Sequence, residues 1–230
     1  MTMNAMHTKT TAHSNPIAGV IAKHWRRVGS GLSALALCAC SVLSPSATPP
    51  PAFYSLNGAQ AAAATATSPT PASAAQPTLI INPPRAAAGF DSQRIIYLRE
   101  AHKLEYFAHS EWVDPPARML GTLLVASLQS TGAFRAVVLA PGTAVGDMRL
   151  ETEIIRLQQE FQTAPSRVHF TLRAVLLDEK TRRVLAWREF DSNLPAPTDD
   201  TYGGVLAANL AVQSVLKELA AFCAQQLQKS

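Results

Sequence analysis

Residues 168–190, VHFTLRAVLLDEKTRRVLAWREF, decide the class of fold. Apolar and polar side chains alternate over residues 168–176, which is typical of a strand with one buried face. The polar residues 178–181 interrupt this run, and an apolar run resumes after them, so the pattern predicts a hairpin turn. Residues 149–161 alternate less regularly around Ile154-Ile155, which indicates a β-bulge. These three strands predict an antiparallel meander.

One amphipathic helix is predicted before the meander in the sequence, and a second one is predicted after it. Apolar residues recur at helical spacing through the last part of the sequence, which predicts a long helix. Asp200 or Thr201 is its predicted N-cap. The other helix begins after an Asp114 N-cap, with Pro115 at its first position, where the missing N–H costs nothing. Leucines at helical spacing continue it until Gly132.

Short runs of strand-forming residues precede the meander, at residues 53–56, 78–81, 94–98, 104–107 and 134–139. Together with the two helices they predict an α/β fold. We expect a mixed, largely antiparallel sheet packed against two long amphipathic helices in a single domain, residues 53–230. An Ala-rich stretch at residues 57–76 predicts a flexible loop inside that domain.

The N-terminus has the pattern of an export signal. A basic segment at residues 23–27 precedes a short apolar run at residues 31–39. The run is far shorter than the roughly 20 apolar residues that a bilayer-spanning helix needs. A basic flank, a short apolar run and small residues together predict a secretory signal peptide at residues 1–39.

The end of the apolar run, Leu37-Cys38-Ala39-Cys40, resembles a bacterial lipobox, with Leu at −3 and a small residue before the Cys. We therefore expect cleavage before Cys40 and lipidation of Cys40. Residues 40–52 are rich in Pro and Ser and predict an extended tether. The alternative is an ordinary signal peptide, or an amphipathic N-terminal helix with incidental cysteines.

The positive charge of the chain lies in the segment that export removes. The formal net charge is +4 and the sequence pI is about 9.1, which by itself suggests a nucleic-acid or anionic partner. However, residues 1–39 hold four basic and no acidic side chains, and the remaining residues hold sixteen of each sign. We expect no nucleic-acid partner.

The sequence contains no recognisable catalytic or metal-binding pattern. It lacks the GxxxxGK[ST], GxGxxG, HExxH and GxSxG motifs. His102, His109 and His169 do not have metal-ligand spacing, and His169 is expected to be solvated on the polar face of a strand. Cys223 is expected to be a buried apolar residue of the last helix. We predict a protein that is not an enzyme, with no metal and no cofactor besides the covalent lipid on Cys40.

An ordered set of residues around the first helix carries a family resemblance. The set is Arg94, Tyr97, Tyr106, Trp112, Pro115 and Pro116. With Phe53-Tyr54-Ser55-Leu56 close behind the lipobox, it resembles the ABC-type transport auxiliary lipoprotein family, which includes the paraquat-inducible protein C lipoproteins. The resemblance covers residues 40–228, except for the Ala-rich loop.

This resemblance implies an accessory subunit of a phospholipid-transport ABC system whose ATPase and permease are other chains. Its implied partner is a periplasmic mammalian-cell-entry-type protein. Because Ser41 is not the retention-type Asp, the implied location is the periplasmic face of the outer membrane, through the lipid anchor. The alternative is an assembly or secretion accessory lipoprotein of the outer membrane with a different periplasmic client. A periplasmic hydrolase is a third hypothesis, for which the sequence offers no catalytic cluster.

The six residues of the set are candidates for partner contact, but each also has a structural interpretation. Trp112 packs over the start of the helix in that interpretation, and Tyr97 pairs with Tyr106 across two strands. Arg94 then pairs with a nearby carboxylate. Direct contact with a lipid ligand is the remaining hypothesis.

Overall fold

The computed structural model describes residues 50–57 and 75–228, which form nine strands and two helices. The strands are β1 (Ala52–Tyr54), β2 (Thr78–Ile81), β3 (Arg85–Ala86), β4 (Arg94–Leu98), β5 (Glu105–Trp112), β6 (Ala136–Leu139), β7 (Met148–Glu160), β8 (Arg167–Asp178) and β9 (Val184–Pro195). The helices are α1 (Pro116–Gln129) and α2 (Thr201–Leu227). The predicted signal peptide, Cys40, and most of the predicted tether and Ala-rich loop lie outside the described residues.

Strands β7, β8 and β9 form the predicted antiparallel meander, and they are the longest strands of the sheet. The register of β7 against β8 shifts between Ile154 and Arg156, so the predicted bulge is confirmed. The turn between β8 and β9 contains Arg182 at φ 60°, and the side chain of Asp178 accepts hydrogen bonds from Thr181. The meander therefore forms as its alternating pattern predicts.

The short strands join the other edge of β7 in two branches. At the N-terminal end of β7, β2 pairs in parallel with β7 and with β6. At its C-terminal end, β4 pairs in parallel with β7 and antiparallel with β5, and β5 carries β1 in parallel. Strand β3 pairs with the middle of β7. The result is the mixed sheet of the predicted α/β fold, with its longest ladders antiparallel.

Both helices pack on one face of the sheet. Helix α1 contacts β2, β3 and β6, helix α2 contacts β8 and β9, and the two helices contact each other. Residues of β8 that alternate toward the helices are fully buried, including Phe170 and Leu172. The opposite face of the meander is called the open face below, and β8 presents on it Arg167, His169, Thr171, Arg173, Val175 and Leu177.

Helix α2 begins at the predicted Asp200 N-cap, whose side chain accepts a hydrogen bond from the N–H of Gly203 at 2.7 Å. Two glycines in the first turn allow close packing. A Cβ on Gly203 would lie 2.2 Å from the carbonyl oxygen of Thr198, and a Cβ on Gly204 would lie 2.1 Å from Oε1 of Gln159. Side chains at these two positions do not fit without movement of their neighbours.

The start of α1 differs by one residue from the prediction. Pro115 is the N-cap residue and Pro116 is the first helical residue, and no side chain caps the helix. Asp114, the predicted cap, instead pairs with Arg118 at 2.9 Å. After the helix ends at Gln129, Gly132 takes φ 64°, the left-handed conformation typical of a helix stop.

Helix α2 is long and apolar enough to cross a membrane by composition, but half of its most apolar window is buried within the domain. Its composition is that expected of the core helix of a folded domain. Cys223 is buried in its apolar face, as predicted, and burial raises the pKa of its thiol to about 12.

Candidate functional site

Arg94 and Tyr106 form an exposed pair on neighbouring strands. The Cζ atom of Arg94 lies 4.1 Å from the centroid of the Tyr106 ring, which is a cation–π contact. Tyr106 is 52% exposed. Within the described residues Arg94 has no carboxylate in an ion pair, so the predicted carboxylate partner is replaced by an aromatic ring. This pair is available to a partner.

Tyr97 lies on the opposite face from Tyr106, so the predicted cross-strand pair of these tyrosines is wrong. The register pairs Tyr97 with Glu105 and Ile96 with Tyr106, and successive strand residues point to opposite faces. The Tyr97 ring packs 4.5 Å from Phe107 and 5.7 Å from Phe161. Tyr97 is therefore part of an aromatic cluster between β4, β5 and the end of β7.

Trp112, Pro115 and Pro116 have structural roles. Trp112 is 3% exposed and belongs to the main core, and its backbone N–H donates to the carbonyl of Gln93 at 2.7 Å. Pro116 is buried at the start of α1. The structure thus places the six motif residues in different environments, and only Arg94 and Tyr106 present an exposed pair. Cys40 lies outside the described residues.

His169 lies at the centre of a polar cluster on the open face, rather than being solvated. Its Nδ1 is 3.3 Å from Oε1 of Glu160, and its Nε2 is 2.9 Å from Oδ1 of Asp191. Burial opposes ionisation of Asp191, but hydrogen bonds from Thr171 and His169 outweigh it and lower the pKa of that carboxyl. Sequence reasoning missed this cluster because its members come from three strands.

Other charges of the open face are also paired, Arg173 across neighbouring strands and Arg149 with residues just beyond strand ends. Arg173 contacts Glu189 at 2.7 Å and Glu153 at 3.3 Å. Arg149 donates two hydrogen bonds of 2.6 Å to Glu179 and another to Asn82. The described residues contain no group of three or more His, Cys, Asp or Glu side chains placed to hold a metal ion. The charged side chains named here are thus engaged with one another.

One end of the open face is apolar. We call the residues Val175, Leu177, Val184, Leu185 and Trp187 the hairpin patch. Val175 pairs with Trp187 and Leu177 with Val184 across the β8–β9 ladder. The Trp187 side chain is 65% exposed. A sequence signal for the patch exists, because Val175 and Leu177 are apolar at strand positions where the alternation calls for polar residues.

A surface depression of about 250 Å³ lies beside the hairpin, between residues 140–144 and the side chains of Ile80 and Arg149. The guanidinium of Arg149 is engaged by Glu179 and Asn82, as described above. The depression therefore offers a wall of small apolar residues, without a catalytic group.

Comparison with known proteins identifies a family and a fold. A family model described as ABC-type transport auxiliary lipoprotein component matches residues 54–220. The crystal structure of protein XCC0632 from Xanthomonas campestris is similar, with 23% sequence identity, a TM-score of 0.65, and coverage of 77% of this chain and 97% of that chain. A second, uncharacterised crystal structure has 14% identity, a TM-score of 0.58, and coverage of 76% and 99%. No curated protein matches the chain.

Proposed function

Because the chain belongs to the ABC-type transport auxiliary lipoprotein family, we propose that it is a non-catalytic accessory subunit of an ABC-type phospholipid-transport system. In this proposal a lipid on Cys40 anchors it to the periplasmic face of the outer membrane. There it binds the system's periplasmic mammalian-cell-entry-type protein. The observation that carries the proposal is the family match over residues 54–220.

The chemistry of the chain supports an auxiliary role. A transporter needs ATP hydrolysis, and the proposal assigns the ATPase to another chain, in agreement with the lack of a phosphate-binding loop motif in this sequence. In the described residues, Arg149 and Arg173 of the open face are engaged in ion pairs with Glu side chains, and His169 contacts Asp191. Exposed pairs such as Arg94 and Tyr106 suit contact with another protein better than they suit turnover of a substrate.

The anchor is physically sufficient for a domain without net charge. One acyl chain gives only marginal membrane binding, and two or more acyl chains hold a protein stably. A multiply acylated Cys40 therefore needs no basic patch in the rest of the chain. The twelve residues that follow Cys40, residues 41–52, reach roughly 37 Å if extended at about 3.1 Å per residue.

Labelling with radioactive palmitate tests the anchor. The wild-type chain is expected to incorporate label and to fractionate with the outer membrane, and Cys40→Ala is expected to lose both. Cys38→Ala is the matched control, because Cys38 leaves with the signal peptide and labelling should persist. Label retained in Cys40→Ala would contradict the proposed anchor. Fractionation of the labelled wild-type protein with the inner membrane would contradict the proposed location.

A further inference from the structure

The hairpin patch is an apolar surface at a corner of the molecule. It lies on the open face, whose neighbouring positions carry the ion pairs of Arg173 with Glu153 and Glu189. Among the described strands β9 pairs only with β8, so the patch also borders an edge of the described sheet. Exposed Trp residues are rare on surfaces that face only water and are enriched at binding interfaces.

Basic side chains surround the patch, and the acidic side chains of the same turn are engaged internally. Lys180, Arg182 and Arg183 are exposed. Asp178 accepts two hydrogen bonds from Thr181, and Glu179 is held by Arg149 with only 18% of its side chain exposed. In the described residues Arg182 also contacts Glu179, at 3.6 Å, while neither Lys180 nor Arg183 has an ion-pair partner. The rim therefore presents net positive charge outward.

The position of the hairpin in the sheet indicates which way the patch points. The turn lies beyond the N-terminal end of β7, since Met148 pairs with Asp178 and Leu177 with Val184. Among the described residues the sheet begins at β1, whose Ala52 pairs with Ser110 of β5, and through β4 this pair is level with the C-terminal half of β7. The 13 residues of β7 span about 40 Å at roughly 3.3 Å each. The hairpin patch lies at the N-terminal end of β7, and the start of β1 lies toward its C-terminal half.

We propose that the hairpin patch is the docking surface for the periplasmic protein partner, which presents an apolar surface rimmed by Asp and Glu. This inference rests on the proposed function and specifies where that partner binds. Trp187 is the central apolar anchor, and the unpaired cations Lys180 and Arg183 supply the complementary charge. A lipid bilayer is the less favoured occupant, because the patch lies at the N-terminal end of β7 and the first described strand, β1, starts toward the other half of β7.

Affinity measurements on the full acylated chain in detergent test this surface. The probe is the mammalian-cell-entry-type protein encoded by the same genome. Trp187→Ala is expected to raise Kd by at least about tenfold, the loss typical of a central aromatic anchor. The matched control is Tyr202→Ala, which removes an aromatic ring of similar exposure, 58%, from α2. This control is expected to change Kd by less than about twofold. Arg183→Glu is expected to weaken binding more at low salt than at high salt.

Three other results would overturn the inference, and they show whether the docking surface alone or also the proposed function fails. If the wild-type chain binds and Trp187→Ala binds equally well, the docking surface is refuted and the proposed function stands. If the wild-type chain does not bind, the proposed function and this surface both fail. Reconstitution into vesicles that contain brominated phospholipid, without partner, is the third measurement. Quenching of Trp187 fluorescence there would identify a bilayer as the occupant and overturn the proposal, since Trp112 is buried.

Discussion

Replacement of Gly203 by Ala tests the packing at the start of α2. The added Cβ would lie 2.2 Å from the carbonyl oxygen and 2.4 Å from Oγ1 of Thr198. The neighbour is backbone, and the segment around it is fixed: Thr198 donates to Asp200 at 2.9 Å, and the N–H of Ser166 donates to Asp199 at 2.6 Å. The clash is therefore relieved only by moving the N-terminus of the helix.

The sign of the effect follows from three magnitudes. Overpacking against a fixed neighbour costs about 1–3 kcal/mol. Displacement of the Asp200 cap, whose hydrogen bond from Gly203 is 2.7 Å long, costs about 1 kcal/mol more. Ala is favoured over Gly within a helix by at most about 1 kcal/mol. We expect Gly203→Ala to lower the free energy of unfolding by about 1–3 kcal/mol.

Urea unfolding followed by circular dichroism measures this loss as a lower midpoint at unchanged m. The matched control is Gly121→Ala in α1, where the Cβ meets side chains only at 3.4–3.5 Å. Helix propensity then dominates, and the control should be neutral or more stable by up to about 1 kcal/mol. If Gly203→Ala unfolds at the wild-type midpoint or above it, the reasoning about the first turn of α2 is refuted.

Three further predictions concern the interior and the carboxyl groups. Gly204→Ala should lower the free energy of unfolding by about 1–3 kcal/mol. A Cβ at position 204 would meet the Gln159 side chain, so Gln159→Ala should recover part of that loss in the double variant. Strictly additive changes in the free energy of unfolding, measured in urea, would contradict the contact. Five carboxyl groups have a lowered pKa in the folded chain, those of Asp178, Glu179, Asp191, Asp199 and Asp200. Their contribution to stability is therefore present above the unfolded pKa values, about 4, and is lost as pH falls through the lower folded values; a urea midpoint unchanged from pH 5 to pH 2.5 would argue against it. Cys223 has a thiol pKa of about 12, and the thiolate is the nucleophile, so Cys223 should resist iodoacetamide in the folded protein and react once urea unfolds it. Rapid labelling of Cys223 in the native protein, detected by mass spectrometry, would refute its burial.

Local patterns predicted much of the fold. The alternation in β8, the polar turn and the bulge in β7 predicted the meander, because each depends on neighbours within a few residues. The Asp200 cap was also readable from sequence. The parallel joining of β2 and β4 to opposite ends of β7 was not, because no local pattern specifies which distant strand is a neighbour.

The candidate site was less predictable than the fold. Tyr97 and Tyr106 were expected to pair, but strand register depends on the turn between them, where His102 takes φ 66°. A shift of one residue moves a side chain to the other face. The partners of His169 lie 9 and 22 residues away on other strands, so their approach is a tertiary outcome. The same holds for the patch around Trp187, which appears only when β8 and β9 pair.

The most direct test of the central claim is whether this chain forms a complex with the mammalian-cell-entry-type protein of the same genome. The two purified full-length proteins would be mixed in detergent and separated by size-exclusion chromatography with light scattering. We predict one co-eluting species with a mass above that of either component, for the wild-type chain and for Cys40→Ala alike, because the anchor is not the contact. Separate elution of the two proteins, with stable co-elution instead with a secretin or a porin-assembly component, would contradict the account.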